Sequence, residues 1–332
     1  MLAAPTPWTR AGRRGSDLDS TAFGTFARDF VERRKVLTTH AHYLDLKSLL
    51  ESHLIPFFGE ARQFEDSSFT IDAVEQFVVH MKSLPGLKGR QTSGVRVNKA
   101  RALLARILGR AVARKWLTTN PVLDVPRLRE NPPEIDPLSW VEVRLLVETG
   151  LQDPEMIRFY TVAIFSGLRT SELIGLKWTD IDWTSNPPTA VIKTSFTKAD
   201  GDHLTKTPGS ARPVELRPRA AQALKEQQAA SRLKSEFVFC NRDGGPLDRD
   251  NIMNRVWYPA LKRAGIRVRK PYQTRHTFAT LALSAGEAIG WVAKQMGHTS
   301  TKMVIEHYYR FIPNLTRRDG SAFDKAAAQV GL

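Results

Sequence analysis

One segment limits the possible folds more than any other. Residues 129–137, RENPPEIDP, are polar and hold three prolines. Proline has no backbone N–H and a fixed φ, so neither a continuing helix nor an inner strand can pass through such a stretch. It reads as a linker. A chain of 332 residues is long enough for two domains at roughly 100–200 residues each. The expected division is a leader over 1–19, a helical domain over 20–128, the linker over 129–137, a second domain over 138–316 and a tail over 317–332.

Composition narrows the class. Hydrophobic residues are 42% and charged residues 25%, an ordinary globular balance. The longest apolar run, near Tyr160 to Leu168, falls well short of the roughly 20 residues a membrane span needs. The opening MLAAPTPWTRAGRRGSDLDS lacks the apolar centre of a secretory signal. The single cysteine, Cys240, excludes an internal disulfide and a thiolate zinc site. A soluble cytoplasmic protein with no membrane partner is expected.

Lys and Arg total 49 against 34 Asp and Glu, a net charge of +15. Such an excess points to a polyanionic partner, above all nucleic acid. Residues 20–128 and 129–332 each carry +7, as expected of a protein that grips its partner from two sides. No acidic residue lies between Glu75 and Asp124, where ten basic residues fall, and none between Asp250 and Glu287, where seven do. Read as a helix, KARALLARILGRAVARKW puts Lys99, Arg106, Arg110 and Arg114 on one face, beside Leu104, Ile107, Leu108 and Ala111. With no acid inside the segment to balance it, that face is expected to contact DNA phosphates.

Spacing predicts helices over TFARDFVERRK and HAHYLDLKSLLESHL, the second ended by Pro56 and Gly59, then over 70–84 and 99–116. After the linker, LSWVEVRLLVETG, DPEMIRFYTVAIFSG and RPRAAQALKEQQAASR read as helices. TAVIKTSF, RPVEL and FVFCN read as short strands, and the chain is helical from there to about 311. The class is mainly α, with a small sheet in the second domain.

Four patterns in the second half carry polar side chains suited to chemistry. FSGLRTSEL sets Arg169 after a Gly-Leu turn, with Glu172 three residues on. A hairpin bears Lys193, Lys198 and Lys206. PYQTRHTFATLALSAG holds Tyr272, Arg275 and His276. VAKQMGHTSTKMVIEHYYRFIP holds His298 and the pair Tyr308-Tyr309. In this order, across residues 20–316, the chain resembles the tyrosine recombinase (phage integrase) family. That family's pattern is an Arg box ending in Glu-Leu, a hairpin Lys, a His-x-x-Arg box, a Leu-Gly-His box and a C-terminal Tyr. The resemblance implies a four-helix SAM-like core-binding domain followed by a mixed α+β catalytic domain with a small antiparallel sheet, the DNA breaking-rejoining enzyme fold. It assigns Arg169, Lys206, Tyr272, Arg275, His298 and Tyr308 to catalysis.

The residue types make chemical sense on their own. Two guanidiniums can fork onto the non-bridging oxygens of a phosphodiester and stabilise the charge that grows during attack. A phenol forms an ester with phosphate that preserves the bond for religation. A lysine can protonate the departing 5′-oxygen. No metal or cofactor is required. His40/His42 and His298/His307 lack supporting ligands for zinc. In relatives ending Tyr-x-Arg-aromatic-Ile-Pro the nucleophile is that tyrosine, which selects Tyr308; Tyr309, about 100° round the helix, is left to packing. Lys206, in a Thr-Lys-Thr before Ser-x-Arg-x-Val-x-Leu, is preferred to Lys198, and Lys193 reads as a strand residue. Tyr272 stands where the family has His. A phenol is a poor base at neutral pH but a good donor, so it is expected to donate to the scissile phosphate. That leaves the acceptor of the nucleophile's proton open, with His298 the nearest candidate by type. Glu172 orients or buffers charge, or caps a helix. His276 lies on the next face as core or as support.

The resemblance further implies double-stranded DNA with specific recombination sites as partner, and a homotetramer on paired sites that is monomeric or weakly oligomeric without DNA. Accessory DNA-bending or directionality proteins and a nucleoid-associated location complete that expectation. The tail SAFDKAAAQVGL could dock on a neighbouring protomer or fray. About 20 residues before the helical unit are too few for an added arm-binding domain. Two other readings remain. A type IB topoisomerase would use the same chemistry to relax supercoils without making recombinants. A helix-turn-helix regulator would use residues 287–309 without catalysis.

Overall fold

The computed structural model describes residues 22–86, 91–130, 135–197, 201–204, 211–312 and 328. The chain divides into two compact units, Met1–Pro132 and Pro133–Leu332. Among the described residues, no helix is long and apolar enough to cross a membrane.

The first unit is built on α1 (Phe23–Arg34), α2 (His40–Leu49), α3 (Ile71–Ser83) and α4 (Gly94–Ala113). Three of these begin on hydroxyl caps. Thr39, Thr70 and Ser93 accept from the backbone N–H of His42, Ala73 and Arg96, each satisfying one of the orphan donors at a helix start. Their apolar faces meet in a core of Phe23, Phe26, Phe58, Phe69, Phe77, Leu104, Ile107 and Leu108. Pro56 does not end the second helix. The chain widens into a π-turn over Leu50–Leu54 and continues as Ile55–Phe58. The wider turn accommodates the proline ring and its missing N–H, and Gly59, at φ 91°, makes the actual stop.

The second unit opens with α5 (Trp140–Leu145), started by a reciprocal Ser139/Glu142 capping box. It continues with α6 (Pro154–Ser166) and the short α7 (Thr170–Ile174). Phe159, Tyr160, Val162 and Ile164 of α6 lie in a core completed by Leu173, Val214, Leu224, Phe239 and Trp257. The sheet has the order β1 (Ile181–Asp182), β2 (Thr189–Ile192), β5 (Arg212–Glu215), all antiparallel, with Ala190 opposite Val214. The expected single strand over TAVIKTSF breaks at Lys193. Beyond it, β3 (Thr194–Thr197) pairs with β4 (Gly201–Leu204) as a separate ribbon. FVFCN is not a strand: Phe237 and Cys240 make only isolated bridges, to Lys177 and Pro246. The remaining helices include α8 (Pro218–Ser231), a stretch that passes from Arg249–Asn251 through a π-turn at Ile252–Trp257 into Tyr258–Arg263, then α9 (Gln273–Ser284), α10 (Ile289–Met296) and α11 (Lys302–Tyr308). The last three share a core of Phe278, Leu283, Val292, Met296, Val304, Tyr308 and Ile312.

Candidate active site

The turn between α6 and α7 sets the site. Gly167 takes the left-handed conformation, φ 69°, and a Cβ there would sit 2.5 Å from the Phe278 ring. Only glycine meets both demands. The chain then enters α7 with Arg169 as its N-cap. The Arg169 N–H donates to Glu172 Oε2 at 2.9 Å, and its Nη1 donates to Oε1 at 2.5 Å. Glu172 thus caps the helix and holds the guanidinium at once.

Glu172 is also gripped from the sheet. Arg212 of β5 donates from Nη1 and Nη2 to the two carboxylate oxygens, both at 3.1 Å, and from Nε to the Gln295 carbonyl at 2.8 Å. Both side chains of the pair are buried. Burial pushes the Glu172 carboxyl up, but the Arg212 bonds and charge, with help from Arg169, hold it below the ordinary carboxylate range. Gln295 in turn brackets Glu215, accepting from its N–H at 2.9 Å and donating to its carbonyl at 3.2 Å. Arg212 was not singled out from the sequence, though a signal exists. Arg212, Val214 and Leu216 alternate along a strand and share its inward face.

Met296-Gly297-His298 closes α10 as a Schellman turn. Gly297 is left-handed at φ 68°, its N–H donates to the Lys294 carbonyl, and the His298 N–H donates to the Ala293 carbonyl. A Cβ on Gly297 would meet the Arg212 guanidinium at 2.8 Å, so Arg212 packs directly under the turn that presents His298.

Arg275, in the first turn of α9, is 1% exposed. Its Nη1 donates to the Gly167 carbonyl at 2.7 Å, and its Nη2 to the Met296 carbonyl. Nη2 also lies 3.3 Å from His298 Nε2. Three of the five N–H donors of a guanidinium thus go to the protein. Among the described residues Arg275 Nε and His298 Nδ1 are buried without partners. Burial, then repulsion from Arg169, lowers the Arg275 pKa. Burial, then the charge of Arg275, pushes His298 down to about 4. Its ring is therefore neutral at pH 7 and accepts from Arg275 through Nε2.

Tyr308, at the end of α11, is 2% exposed, and its Oη lies 2.7 Å from His276 Nδ1. Burial raises its pKa, partly opposed by Arg275. Tyr309 is 52% exposed. The expectation that Tyr309 packs and its neighbour presents a hydroxyl is reversed in burial, because the helix carries Val304 and Tyr308 inward one turn apart. Tyr272, 46% exposed, packs edge-on against His276 with centroids 5.1 Å apart. Tyr272, the N-cap of α9, and His276 are four residues apart, one turn, so their rings meet.

The structure brings Arg169, Glu172, Arg275, His276, His298, Tyr272 and Tyr308 into one part of the second unit. Lys198 and Lys206 lie outside the described residues. Lys193 stands at the strand break, 3.5 Å from Asp180. In the first unit, Lys99 of the basic face of α4 has an acidic partner on a neighbouring helix. Asp45 of α2 pairs with Lys99 at 2.9 Å and with Arg96 at 3.0 Å. Arg114 lies over the rings of Phe26 and Trp116. Arg106 and Arg110 are exposed.

The phage integrase family pattern matches residues 143–313. The prophage integrase IntR of Escherichia coli (strain K12) is 34% identical over 237 residues, 64% of this chain and 57% of that protein, so the chain spans less than two thirds of that relative. An integrase of Streptomyces ambofaciens is 27% identical over 333 residues, 94% of this chain and 79% of its own length. In fold, the Tn1549 transposon integrase in complex with circular intermediate DNA superposes with a TM-score of 0.72 at 18% identity, covering 94% of this chain and all of that one. With the family pattern matched over half of the sequence, the chain belongs to the phage integrase family, the tyrosine recombinases.

Proposed function

We propose that the chain is a site-specific recombinase that cuts and rejoins duplex DNA through a 3′-phosphotyrosine at Tyr308, integrating or excising a mobile element. The observation that carries this reading is a buried surplus of positive charge. Arg169 and Arg212 share the single carboxylate of Glu172, and Arg275 lies within the field of all three, with His298 on Arg275 and Tyr308 within reach of its charge. Fixed cations out of water suit a phosphodiester, and suit the more highly charged phosphorane better, which is what lowers a barrier.

In this reading Arg169 and Arg275 hold the non-bridging oxygens, and the exposed hydroxyl of Tyr272 donates to the same group. Tyr308 Oη attacks phosphorus, and the bond from phosphorus to the 5′-oxygen breaks. That oxygen takes a proton from a hairpin lysine, Lys206 by its sequence context or Lys198. A 5′-hydroxyl from the partner strand then reverses the step and releases Tyr308. Exchange between two duplexes cuts four strands with one tyrosine each, so the working assembly is a homotetramer on paired sites, weakly associated off DNA. Accessory DNA-bending or directionality proteins and a nucleoid location belong to the same proposal. The exposed Arg106 and Arg110 of the first unit are the residues of its basic helix best suited to phosphate contact.

The test is covalent capture. Duplexes with a randomised centre and a single nick are incubated with the protein, and adducts stable to detergent are recovered and sequenced. Adducts are expected with the natural chain and with Tyr309→Phe, and none with Tyr308→Phe. Captured sites should then yield recombinants when paired. Relaxation without recombinants would identify a topoisomerase, and no adduct at any sequence would overturn the enzyme reading.

A further inference from the structure

The proposed reaction needs an acceptor for the Tyr308 proton, and Tyr272 occupies the position from which a histidine would serve in the family pattern. His298 is poorly placed for the task. Its Nε2 faces Arg275 Nη2 at 3.3 Å, so the one lone pair a neutral imidazole offers is already committed. His276 is differently placed. Its Nδ1 lies 2.7 Å from Tyr308 Oη, and its ring packs between Tyr308 and Tyr272, with centroids 5.8 and 5.1 Å away.

The direction of that hydrogen bond follows from its surroundings. Tyr308 sits among Phe278, Val304 and Ile312, and among the described residues its hydroxyl has no other hydrogen-bond partner. If His276 Nδ1 carried the hydrogen, the phenolic hydrogen would be left unpaired in an apolar setting, which is costly. The phenol therefore donates, Nδ1 accepts, and the ring's own hydrogen is on Nε2. The charged and titratable groups around the ring are Arg275 beside it on α9, His307 and Tyr308 of α11, and Tyr272. Burial, then Arg275, then His307 push its pKa to about 4, so the ring is neutral and free to accept at pH 7.

We propose that His276 is the general base of the cleavage step, accepting the Tyr308 proton through Nδ1 while holding the hydroxyl in place. This rests on the reading of Tyr308 as the nucleophile. In the resting protein His276 is a weak base and the phenol a weak acid, so the proton stays on Oη. It becomes acidic only as the bond from Oη to phosphorus forms, and the bound phosphodiester offsets the Arg275 charge that disfavours imidazolium. The balance is complete. The Oη–phosphorus bond forms and the phosphorus–O5′ bond breaks. The phenolic proton goes to His276, and a separate proton from the hairpin lysine goes to the 5′-oxygen. Religation returns both.

The experiment is single-turnover cleavage of captured, nicked sites across pH. It uses the natural chain, His276→Asn and His276→Ala, on ordinary DNA and on DNA with sulfur replacing the leaving 5′-oxygen. The amide oxygen of Asn falls near the position of Nδ1, so it keeps the hydrogen bond and cannot take the proton. Both variants are expected to cleave on the order of 10²–10⁴ times more slowly. Their rates should climb in proportion to hydroxide where the natural chain's do not, and sulfur should not restore them, since departure of the leaving group is not what was lost. A His276→Asn rate equal to the natural one overturns the proposal, as does slowing with an unchanged pH profile or rescue by sulfur. Nitrogen chemical shifts of the His276 ring in the intact natural protein give a check that needs no variant. A bare Nδ1 is expected, and a hydrogen on Nδ1 refutes the assignment. Adducts from the natural chain alongside any of these failures sink only the role of His276, whereas no adduct from the natural chain sinks the recombinase reading and this inference with it.

Discussion

At the scale of single residues, Arg212 is the side chain on which most of the site leans. It joins Glu172, and through it Arg169, to the Gln295 carbonyl and the underside of the Gly297-His298 turn. Removing one partner of a buried ion pair costs about 3–5 kcal/mol, because the other charge is left without compensation. Arg169 still touches Glu172, so Arg212→Met is expected at the lower end of that range by urea unfolding. In a double-mutant cycle with Glu172→Gln, the coupling should be on the order of 1–3 kcal/mol. Near-zero coupling would mean that Arg212 acts by packing alone. The sequence made the order Arg169, Arg275, His298, Tyr308 legible, because those positions carry a linear pattern. It left Arg212 without a role and His276 undecided between core and support. What those two do depends on which side chains lie across from them, and residues 40 and 32 positions away in sequence supply that. No local spacing reports it.

At the scale of elements, turns rather than helices fix the geometry. The α6–α7 turn offers the Gly167 carbonyl to Arg275 and delivers Arg169 to Glu172. Gly167→Ala adds two separable penalties. A non-glycine residue in the left-handed region costs about 1–2 kcal/mol, and the new methyl group would overlap the Phe278 ring. The variant is expected to lose more than the conformational cost alone in thermal unfolding. Combined with Phe278→Leu, it should lose less than the two single changes summed, because the smaller side chain vacates the space. Simple additivity would show that Phe278 already moves aside at no cost. Helices such as α3, α5 and α6 were readable because cap and apolar period agree. Pro56 misled because a π-turn absorbed it. FVFCN misled because a short apolar run can be core without a ladder partner, and Val238 and Phe239 are buried between helices instead.

The whole molecule has separate cores in its two units, and its acid response should divide the same way. His276 and His298, both in the second unit, have pKa values pushed down to about 4. Unfolding releases them to the ordinary value near 6.5. Between those limits the unfolded second unit binds protons that the folded one refuses, so stability rises with pH through the window. Stability is full above about pH 6.5 and is lost as the pH falls toward 4. Below that, protonation of Glu172 and Glu142, both held below the usual carboxylate range, acts in the same direction. The first unit has one histidine with a lowered pKa, His53, where burial acts first and Arg96 and His80 add to it. Hydrogen exchange, followed on peptides from each unit as pH drops from 7 to 4, should therefore show the second unit opening earlier and more steeply. His276→Asn combined with His298→Asn should flatten that response in the second unit and leave the first unit's unchanged. The two units opening together at every pH would mean that they unfold as one cooperative body, and that the protons taken up at the site destabilise the entire chain.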